Sequence, residues 1–283
     1  MGKHLEGKVA VITGGSRGIG RDIALKFASE GCSIVVAAKS TESTERLPGS
    51  IYSVAEECEK LGVKAFPVVC NVRDPESIDS MAKAVLDRFG HADIVVNNAG
   101  ALWWKPMIET DVKKYNLVHE VNSRGTYLVT RAFLPGMIAQ KWGHIIMMSP
   151  PIDLSHVPGR IAYFISKFGM TLIAHGLAGE VREHNIAANA LWPVTIIESQ
   201  ATINFGLGGP RQWRKGTILA DAAFEIVRKE PRDFTGHALL DEDFLRSAGQ
   251  TDFDQYKCVP DGEPQRIAWM PKTPAGVKTN AAV

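Results

Sequence analysis

The residues with the clearest chemical potential are a tyrosine and a lysine four positions apart. Tyr163 and Lys167 belong to the stretch YFISK, inside a segment with helical spacing from Arg160 to His184. Residues four apart share one face of a helix. A nearby ammonium stabilises tyrosinate and lowers the phenol pKa from its usual value of about 10. The spacing predicts that the pair transfers a proton to or from an alcohol or carbonyl oxygen. The alternative is a pair without chemical function, in which the tyrosine is buried in the core and the lysine lies on the surface.

A glycine-rich loop, TGGSRGIG at residues 13–20, separates a short β-branched run from a helical segment. In this context Gly14 permits a tight turn, Gly18 lets the backbone approach a pyrophosphate, and Gly20 allows close packing of the helix on the strand. The positive end of the helix then faces the phosphates. An ordinary glycine turn is the alternative. The predicted cofactor contacts in the loop are Gly14, Gly15, Ser16, Arg17, Gly18, Ile19 and Gly20.

Positive charge at the end of the second strand indicates which dinucleotide binds. A carboxylate at this point would bind the ribose 2′-hydroxyl and repel a 2′-phosphate. The strand instead reads IVVAAKS and ends on Lys39, and Arg17 supplies a second cation. Two cations favour NADP(H) over NAD(H), although Glu42 is close enough in sequence to offset part of this charge.

Short apolar runs and helical segments alternate along the chain, and they must position these groups. Such alternation predicts an α/β fold, a Rossmann-type doubly wound parallel sheet with helices on both faces. The long helical segment Tyr115 to Gln140 contains Pro135, where a bend is expected. We expect a single domain at residues 1–242, with a substrate-covering segment at 198–217, followed by a C-terminal extension at 243–283. The runs that favour strands are 9–12, 33–38, 64–69, 93–97, 144–148, 186–191 and 238–240.

Composition argues against several classes of protein. The 283 residues carry 32 Lys and Arg against 31 Asp and Glu, a net charge of +1, whereas nucleic-acid binders usually have a basic excess. The eight histidines show no ligand spacing, so no metal is expected. The four cysteines form no CxxC pair and are expected to be free thiols in a reducing compartment. Without a secretory signal or a spanning apolar run, we expect a cytoplasmic protein that makes no membrane contact.

Three motifs in the same order resemble the short-chain dehydrogenase/reductase family. They are the glycine loop, NNAG at residues 97–100, and YFISK, and Asn122 in VNSRGTY matches the family's catalytic asparagine. The resemblance covers Leu5 to Asp241. It implies hydride transfer between NADP(H) and an alcohol or carbonyl, with Tyr163, Lys167 and Asn122 as catalytic residues. By itself, Asn122 could equally be a structural residue that bends the helix. The further cofactor contacts implied are Asn71, Val72, Asn98, Ala99, Gly100, Tyr163, Lys167, Pro193, Thr195 and Ile196.

The chain departs from the family pattern at two points. After the fifth strand it reads MMSPP, so Pro150 stands where many relatives have the substrate-binding serine, and proline has no side-chain donor. We assign Ser149 to the catalytic group; Ser155, or a relay without serine, is the alternative. Val194 stands where a glycine usually follows Pro193. The stretches AAK, SPP and NALWP resemble the hydroxysteroid dehydrogenase-like branch, whose animal members carry a sterol-carrier domain that these residues do not show.

Aromatic residues near the expected substrate entrance favour an apolar ligand, whether aliphatic, terpenoid or steroid-like. Packing in the core or an interface is equally compatible with them. The helix of Tyr163 is apolar on more than one face, which predicts a homodimer or homotetramer. A cofactor-binding protein with little turnover, and an epimerase or dehydratase, are the alternative functions. The aromatic residues concerned are Trp103, Trp104, Trp192, Phe205 and Trp213.

Overall fold

The computed structural model describes residues 3–45 and 47–267, so the last part of the expected extension, 268–283, lies outside the described residues. Within these ranges strands and helices alternate as predicted. The elements are β1 (Val9–Thr13), α1 (Gly18–Ser29), β2 (Ser33–Ala38), α2 (Ile51–Lys60), β3 (Ala65–Val69), α3 (Pro75–Phe89), β4 (Ile94–Asn97), α4 (Val112–His119), α5 (Gly125–Gln140), β5 (Gly143–Met148), α6 (Ile161–Glu180), β6 (Ile186–Trp192), β7 (Ile196–Ile197), α7 (Gln200–Asn204), β8 (Trp213–Arg214), α8 (Thr217–Val227), β9 (Ala238–Leu240) and α9 (Asp241–Ser247).

The central sheet of the described residues has seven parallel strands in the order β3-β2-β1-β4-β5-β6-β9. The strand order reverses between β1 and β4. In open α/β sheets, ligands bind at this reversal, beyond the carboxyl ends of the strands. The glycine loop follows β1 and NNAG closes β4, so both motifs meet there. The predicted doubly wound parallel sheet is confirmed.

Helices cover both faces of the sheet, and the β-branched strands contribute side chains to each side. One core cluster includes Phe27 of α1 and Phe224 of α8. The other includes Met81 of α3, Phe133 of α5 and Met170 of α6. A strand buried on both faces is a near-continuous apolar run, which explains why the strands could be recognised in the sequence.

The helical segment predicted from Tyr115 to Gln140 is interrupted, but not at Pro135. Regular α structure stops at His119 and resumes at Gly125, with a π-helical turn at residues 120–124 between them. Pro135 lies inside α5. Wide turns of this kind occur often at functional sites. The turn carries the buried Asn122, whose contacts are described below.

The boundary expected after residue 242 falls inside a helix. Helix α9 begins at Asp241, and its Phe244 and Leu245 join the core cluster that contains α1 and α8. Phe253 and Tyr256, further along the extension, belong to the same cluster. The described part of the extension is therefore integral to the domain core.

Helix α6 bears on the expectation that no apolar run could span a membrane. Among the described helices, α6 is long and apolar enough to cross a membrane, judged by length and composition only, and this finding corrects that expectation. Most of its apolar window, 61%, is buried against the rest of the protein. The core helices of α/β proteins have the same composition because they are buried on several sides.

Candidate active site

A cavity of about 1250 Å³ opens at the strand reversal, and most of the predicted cofactor residues line it. Gly15 and Gly20 are not among the lining residues, nor are Asn122 and Ser149. The predicted residues that do line it are Gly14, Ser16, Arg17, Gly18, Ile19, Lys39, Asn71, Val72, Asn98, Ala99, Gly100, Tyr163, Lys167, Pro193, Thr195 and Ile196.

Two glycines of the loop are required by close contacts with NNAG. A Cβ at Gly14, whose φ is +66°, would lie 2.9 Å from the Cα of Ala99. A Cβ at Gly20 would lie 2.5 Å from Asn98 Nδ2 and from the carbonyl oxygen of Gly14. Gly20 thus packs against the loop itself and not, as predicted, against the strand. At Gly18, with φ +53°, a Cβ would meet no atom within 4 Å, so the backbone faces open space where a phosphate can approach.

Thr13, which the sequence analysis passed over, joins the two motifs. Its Oγ1 donates to the carbonyl oxygen of Val96 and accepts the backbone N–H groups of Asn98 and Ala99, both at 3.1 Å. The Asn98 amide donates in turn to the carbonyl oxygens of Thr13 and Gly14. This network explains why a threonine precedes the glycines, and a hydroxyl directly before a glycine loop is the signal that could have revealed it.

Tyr163 is 5% exposed and lines the cavity, with its ring 6.1 Å from that of Trp104 in an edge-to-face arrangement. Its hydroxyl makes no hydrogen bond with the residues that the structure describes. Burial raises the pKa of Tyr163 above its usual range, since a phenolate is poorly solvated there. The four-residue spacing predicted that Lys167 lowers the pKa of Tyr163, and in this structure the effect of burial on that pKa has the opposite sign.

Lys167 is turned toward the sheet. Its Nζ donates to the carbonyl oxygen of Met148 at 2.8 Å and lies 5.2 Å from the ring centroid of Trp192. No carboxylate in the described ranges forms an ion pair with it. Burial without a counter-charge lowers the pKa of Lys167 to about 7. The lysine is therefore poised between its neutral and charged forms near neutral pH.

Asn122 connects the cavity wall to the helix of Tyr163. Its Nδ2 donates to Ser166 Oγ and to the carbonyl oxygen of Ala101, both at 2.9 Å, and its Oδ1 accepts the N–H of Ala101 at 2.8 Å. Ser166 Oγ donates to the carbonyl oxygen of Tyr163 at 2.7 Å. Asn122 thus fixes the position of α6 relative to the chain after NNAG. Ser166, inside YFISK, was missed because its partner lies on another element.

Ser149 is placed away from the cavity. It is fully buried, and its Oγ shares a hydrogen bond of 2.9 Å with Thr171 Oγ1. Thr171 donates to the carbonyl oxygen of Pro150 at 2.7 Å. The alternative, Ser155, is exposed and bonded to Asp153, and it too is absent from the cavity wall. The structure therefore does not bring the expected catalytic serine to Tyr163, because packing turns Ser149 toward α6.

We expect Ser149→Ala to leave turnover within about twofold of the parent and to lower the free energy of unfolding by about 1 kcal/mol, the typical contribution of one buried hydrogen bond. Steady-state kinetics and denaturant unfolding measure the two quantities. A tenfold loss of turnover with unchanged stability would return Ser149 to the catalytic group.

Arg17 and Lys39, here named the cationic rim, line the cavity and have no carboxylate partner in the described residues. Lys215 also lines the cavity, and its Nζ donates to the carbonyl oxygen of Gln255. Arg17 donates to Ser40 Oγ at 3.0 Å and to the carbonyl oxygens of Pro48 and Gly49 at 3.1 and 2.7 Å, and Lys39 is exposed. Glu42 does not line the cavity.

Three carboxylate side chains also line the cavity, namely Asp22, Glu57 and Glu198. Glu57 lines the cavity but is paired with Arg21. Burial raises the pKa of Asp22 to about 6, so it is partly protonated below neutral pH.

The aromatic residues divide into two groups. Trp104 and Trp192 line the cavity, and the indole nitrogen of each is buried without a partner in the described residues. The others do not line it. Trp103 Nε1 donates to Thr110 Oγ1, and Trp213 Nε1 to the carbonyl oxygen of Leu207. Phe205 is also absent from the wall. Within the described ranges, no group of three His, Cys, Asp or Glu side chains could hold a metal ion.

A doubly wound sheet with a glycine loop at its reversal, and a tyrosine and lysine in the same cavity, defines the class of nicotinamide-dependent oxidoreductases. Comparison with known proteins gives the family. The profile of the short chain dehydrogenase family matches residues 8–205. The chain belongs to the short-chain dehydrogenase family, whose members bind a nicotinamide cofactor.

Several relatives are similar over most of the chain. Hydroxysteroid dehydrogenase-like protein 2 of Rattus norvegicus is 44% identical over 90% of this chain, which spans about half, 49%, of that protein's length. The crystal structure of a short chain dehydrogenase from Mycobacterium thermoresistibile has a TM-score of 0.87 and 38% identity, and the match covers 96% and 98% of the two chains. A metagenomic short-chain oxidoreductase in complex with NADP has a TM-score of 0.71 and 30% identity, with 84% and 97% covered.

Proposed function

We propose that this protein transfers a hydride between NADP(H) and an alcohol or carbonyl group of a small apolar molecule. The observation that carries the proposal is the single cavity that Tyr163 and Lys167 share with the glycine loop and with the cations Arg17 and Lys39. Family membership supports the reaction type. The choice of cofactor and of substrate class rests on the cavity wall.

The residues of the cavity fit a dinucleotide with a 2′-phosphate. The open space at Gly18 and the close packing at Gly14 and Gly20 suit a pyrophosphate at the start of α1. Arg17 and Lys39 suit the 2′-phosphate because they bring positive charge without a paired carboxylate in the described residues. The NADP complex of the metagenomic relative is consistent with this assignment.

In the proposed mechanism, Tyr163 handles the proton and Lys167 sets the charge around it. The bound nicotinamide supplies or accepts the hydride. The hydroxyl of Tyr163 donates its proton to the carbonyl oxygen during reduction, and the Tyr163 phenolate takes the proton from the alcohol during oxidation. A protonated Lys167 stabilises the phenolate that is left and binds ribose hydroxyls. Asn122 and Ser166 hold the Tyr163 backbone in place.

The wall beyond Tyr163 supports an apolar substrate. Leu102, Trp104 and Leu117 line one part of the cavity. The segment expected to cover the substrate contributes Ile203 and Leu207, although its Phe205 and Trp213 do not reach the cavity. Such a wall suits an aliphatic, terpenoid or steroid-like carbonyl compound, since it offers apolar contact area around few polar groups.

Cofactor preference is tested by direct binding. We expect the protein to bind NADPH at least about tenfold more tightly than NADH, and Lys39→Glu to abolish or reverse this preference because a carboxylate repels the 2′-phosphate. Fluorescence titration of both nucleotides measures the ratio. Lys64→Glu, at an exposed position before β3, is the matched control and should leave the ratio unchanged. Tighter binding of NADH by the parent protein would contradict the assignment.

The reaction is tested with a panel of aliphatic, terpenoid and steroid carbonyls after NADPH binding is established. Loss of NADPH absorbance with one of them, and reduction of NADP by the matching alcohol, are the expected results. Pro150 and the buried Ser149 favour a second candidate, a cofactor-binding protein with little turnover. NADPH binding without oxidation on any carbonyl, and without NADP reduction by any alcohol, would support that candidate.

We also propose that the protein forms a homodimer or homotetramer through α5 and α6. Leu172 and Ile165 of α6 are 60% and 47% exposed, and Tyr127 of α5 is 56% exposed. Large exposed apolar side chains on neighbouring helices indicate a surface for association. Gly169 of α6 is needed for packing within the chain and not for association, because a Cβ there would lie 2.9 Å from Ser123 Cβ. Sedimentation as a monomer at micromolar concentration would contradict the proposal.

A further inference from the structure

The chain that follows α9 returns to the cavity. The N–H of Lys215 donates to the carbonyl oxygen of Tyr256 at 2.8 Å, and the N–H of Glu263 donates to the carbonyl oxygen of Arg211 at 2.7 Å. Arg211 is also paired with Asp261. Residues 254–267, here named the C-terminal strap, therefore run along the end of the substrate-covering segment.

The strap ends on the loop that follows β6. The N–H of Ile267 donates to the carbonyl oxygen of Val194 at 2.7 Å, and the N–H of Val194 donates to Asp241 Oδ1 at 2.9 Å. Both backbone polar groups of Val194 are thus held by the C-terminal part of the chain. Pro193 and Thr195, on either side, line the cavity. The strap and Asp241 consequently fix the loop that contains Val194.

An ion pair fastens the end of the strap. Arg266 donates through two nitrogens to the two carboxylate oxygens of Asp243 on α9, both at 2.7 Å. Paired parallel hydrogen bonds of this kind are stronger and more directional than a single contact between charges. The pair lies directly before Ile267, so it determines where that side chain is held.

Ile267 contributes a side chain to the cavity. It packs against Val194 and Leu240, as Trp192 does, and it lines the cavity together with Trp192. In the described part of the chain, Ile267 is the one cavity residue after Thr217. An apolar wall at this position comes from a segment that lies outside the family's motifs.

We propose that the C-terminal strap is a specificity element and that Ile267 is a specificity-determining residue of the cavity. Its apolar side chain favours a bulky apolar carbonyl compound over a small polar one, and the ion pair between Arg266 and Asp243 keeps it in place. The substrate class in this inference rests on the proposed function, whereas the placement of Ile267 in the cavity does not.

Cysteine labelling tests the placement in the full chain. Cys258 is first replaced by serine because it is partly exposed and could itself be labelled. The other native cysteines, which are buried, can remain: Cys32, Cys58 and Cys70. In this background, the thiol introduced by Ile267→Cys should react with iodoacetamide, and saturating NADPH should slow the reaction at least about tenfold by blocking access. Gln265→Cys, exposed two residues earlier, is the matched control and should react at one rate with or without NADPH.

A second comparison needs no cofactor. Asp243→Ala removes the ion pair, so the strap end loosens and the thiol introduced by Ile267→Cys should react about tenfold faster than with Asp243 intact. NADPH binding is measured by fluorescence in the same samples. If NADPH binds but slows labelling at position 267 no more than at 265, the inference is overturned and the proposed function stands. If NADPH does not bind, the proposed function fails. If Asp243→Ala leaves the labelling rate at position 267 unchanged, the claim that the ion pair holds the strap in place is overturned as well.

Specificity is measured once a carbonyl substrate is in hand. Ile267→Ala should raise KM for a bulky apolar carbonyl compound about tenfold relative to a small one, since a lost apolar contact of this size is worth about that factor. NADPH affinity should stay within about twofold of the parent. An equal change for both compounds would overturn the role of Ile267 in specificity.

Discussion

Replacing Tyr163 with phenylalanine is expected to lower kcat by about 10²- to 10⁴-fold, the range that one positioned proton donor contributes. The change removes only the hydroxyl that faces the cavity. The ring contacts with Trp104 and Phe164 remain, so the fold and NADPH affinity should be preserved. Carbonyl-dependent oxidation of NADPH measures the loss, with fluorescence titration as the measure of cofactor binding.

Tyr127→Phe is the matched control for this prediction. Tyr127 lies on α5 and is 56% exposed. Loss of its hydroxyl should leave kcat within about twofold of the parent, as is usual for a surface substitution. If Tyr163→Phe kept more than a tenth of the parent turnover, the proton would have to come from another group, and the proposed role of Tyr163 would be wrong.

The affinity for NADPH is expected to fall as pH rises through about 7. Burial holds the pKa of the free Lys167 ammonium at about 7, so the lysine is charged below this pH and neutral above it. An anionic dinucleotide favours the charged form, and binding therefore raises the pKa of Lys167 and takes up a proton. Above pH 7, each further pH unit should weaken binding by up to about tenfold, until the pKa of the complex is reached.

Lys167→Met should remove this dependence and weaken binding at pH 6 at least about tenfold, because the charged contact is lost at every pH. Lys83→Met, at an exposed position on α3, is the control and should keep the parent profile. NADH is titrated in parallel, since a phosphate monoester itself changes charge at a pH of about 6. A parent profile for NADH that is flat between pH 6 and 8 would contradict the assignment to Lys167.

Much of the fold could be predicted from local patterns. The strand at 33–38 and the strand at 238–240 were placed at their observed bounds, because short apolar runs bounded by turns are typical of buried strands. An aspartate followed by a proline is typical of the start of a helix, and α3 begins in this way: Asp74 precedes Pro75 and accepts the N–H of Glu76 at 3.1 Å. These features depend on neighbouring residues, and so the sequence displays them directly.

Two features depend on distant contacts. The interruption at residues 120–124 was raised only as an alternative role of Asn122, and the start of α9 was not predicted. The π-helical turn is stabilised by contacts of Asn122 with Ala101 and Ser166, which lie on other elements. Helix α9 is held by Phe244 and Leu245, which bury against a core that is formed elsewhere in the chain. Neither contact leaves a periodic pattern in the sequence.

The sequence by itself determined the class of sheet, the glycine loop, the cations near the second strand and the four-residue spacing of Tyr163 and Lys167. Only the tertiary structure decided the orientation and environment of these groups. It turned Ser149 toward Thr171, buried Lys167 away from any carboxylate in the described residues, and brought Ile267 onto Val194. The physical reason is that helix and strand preferences arise from neighbouring residues, whereas burial, pKa and cavity walls arise from segments that packing brings together.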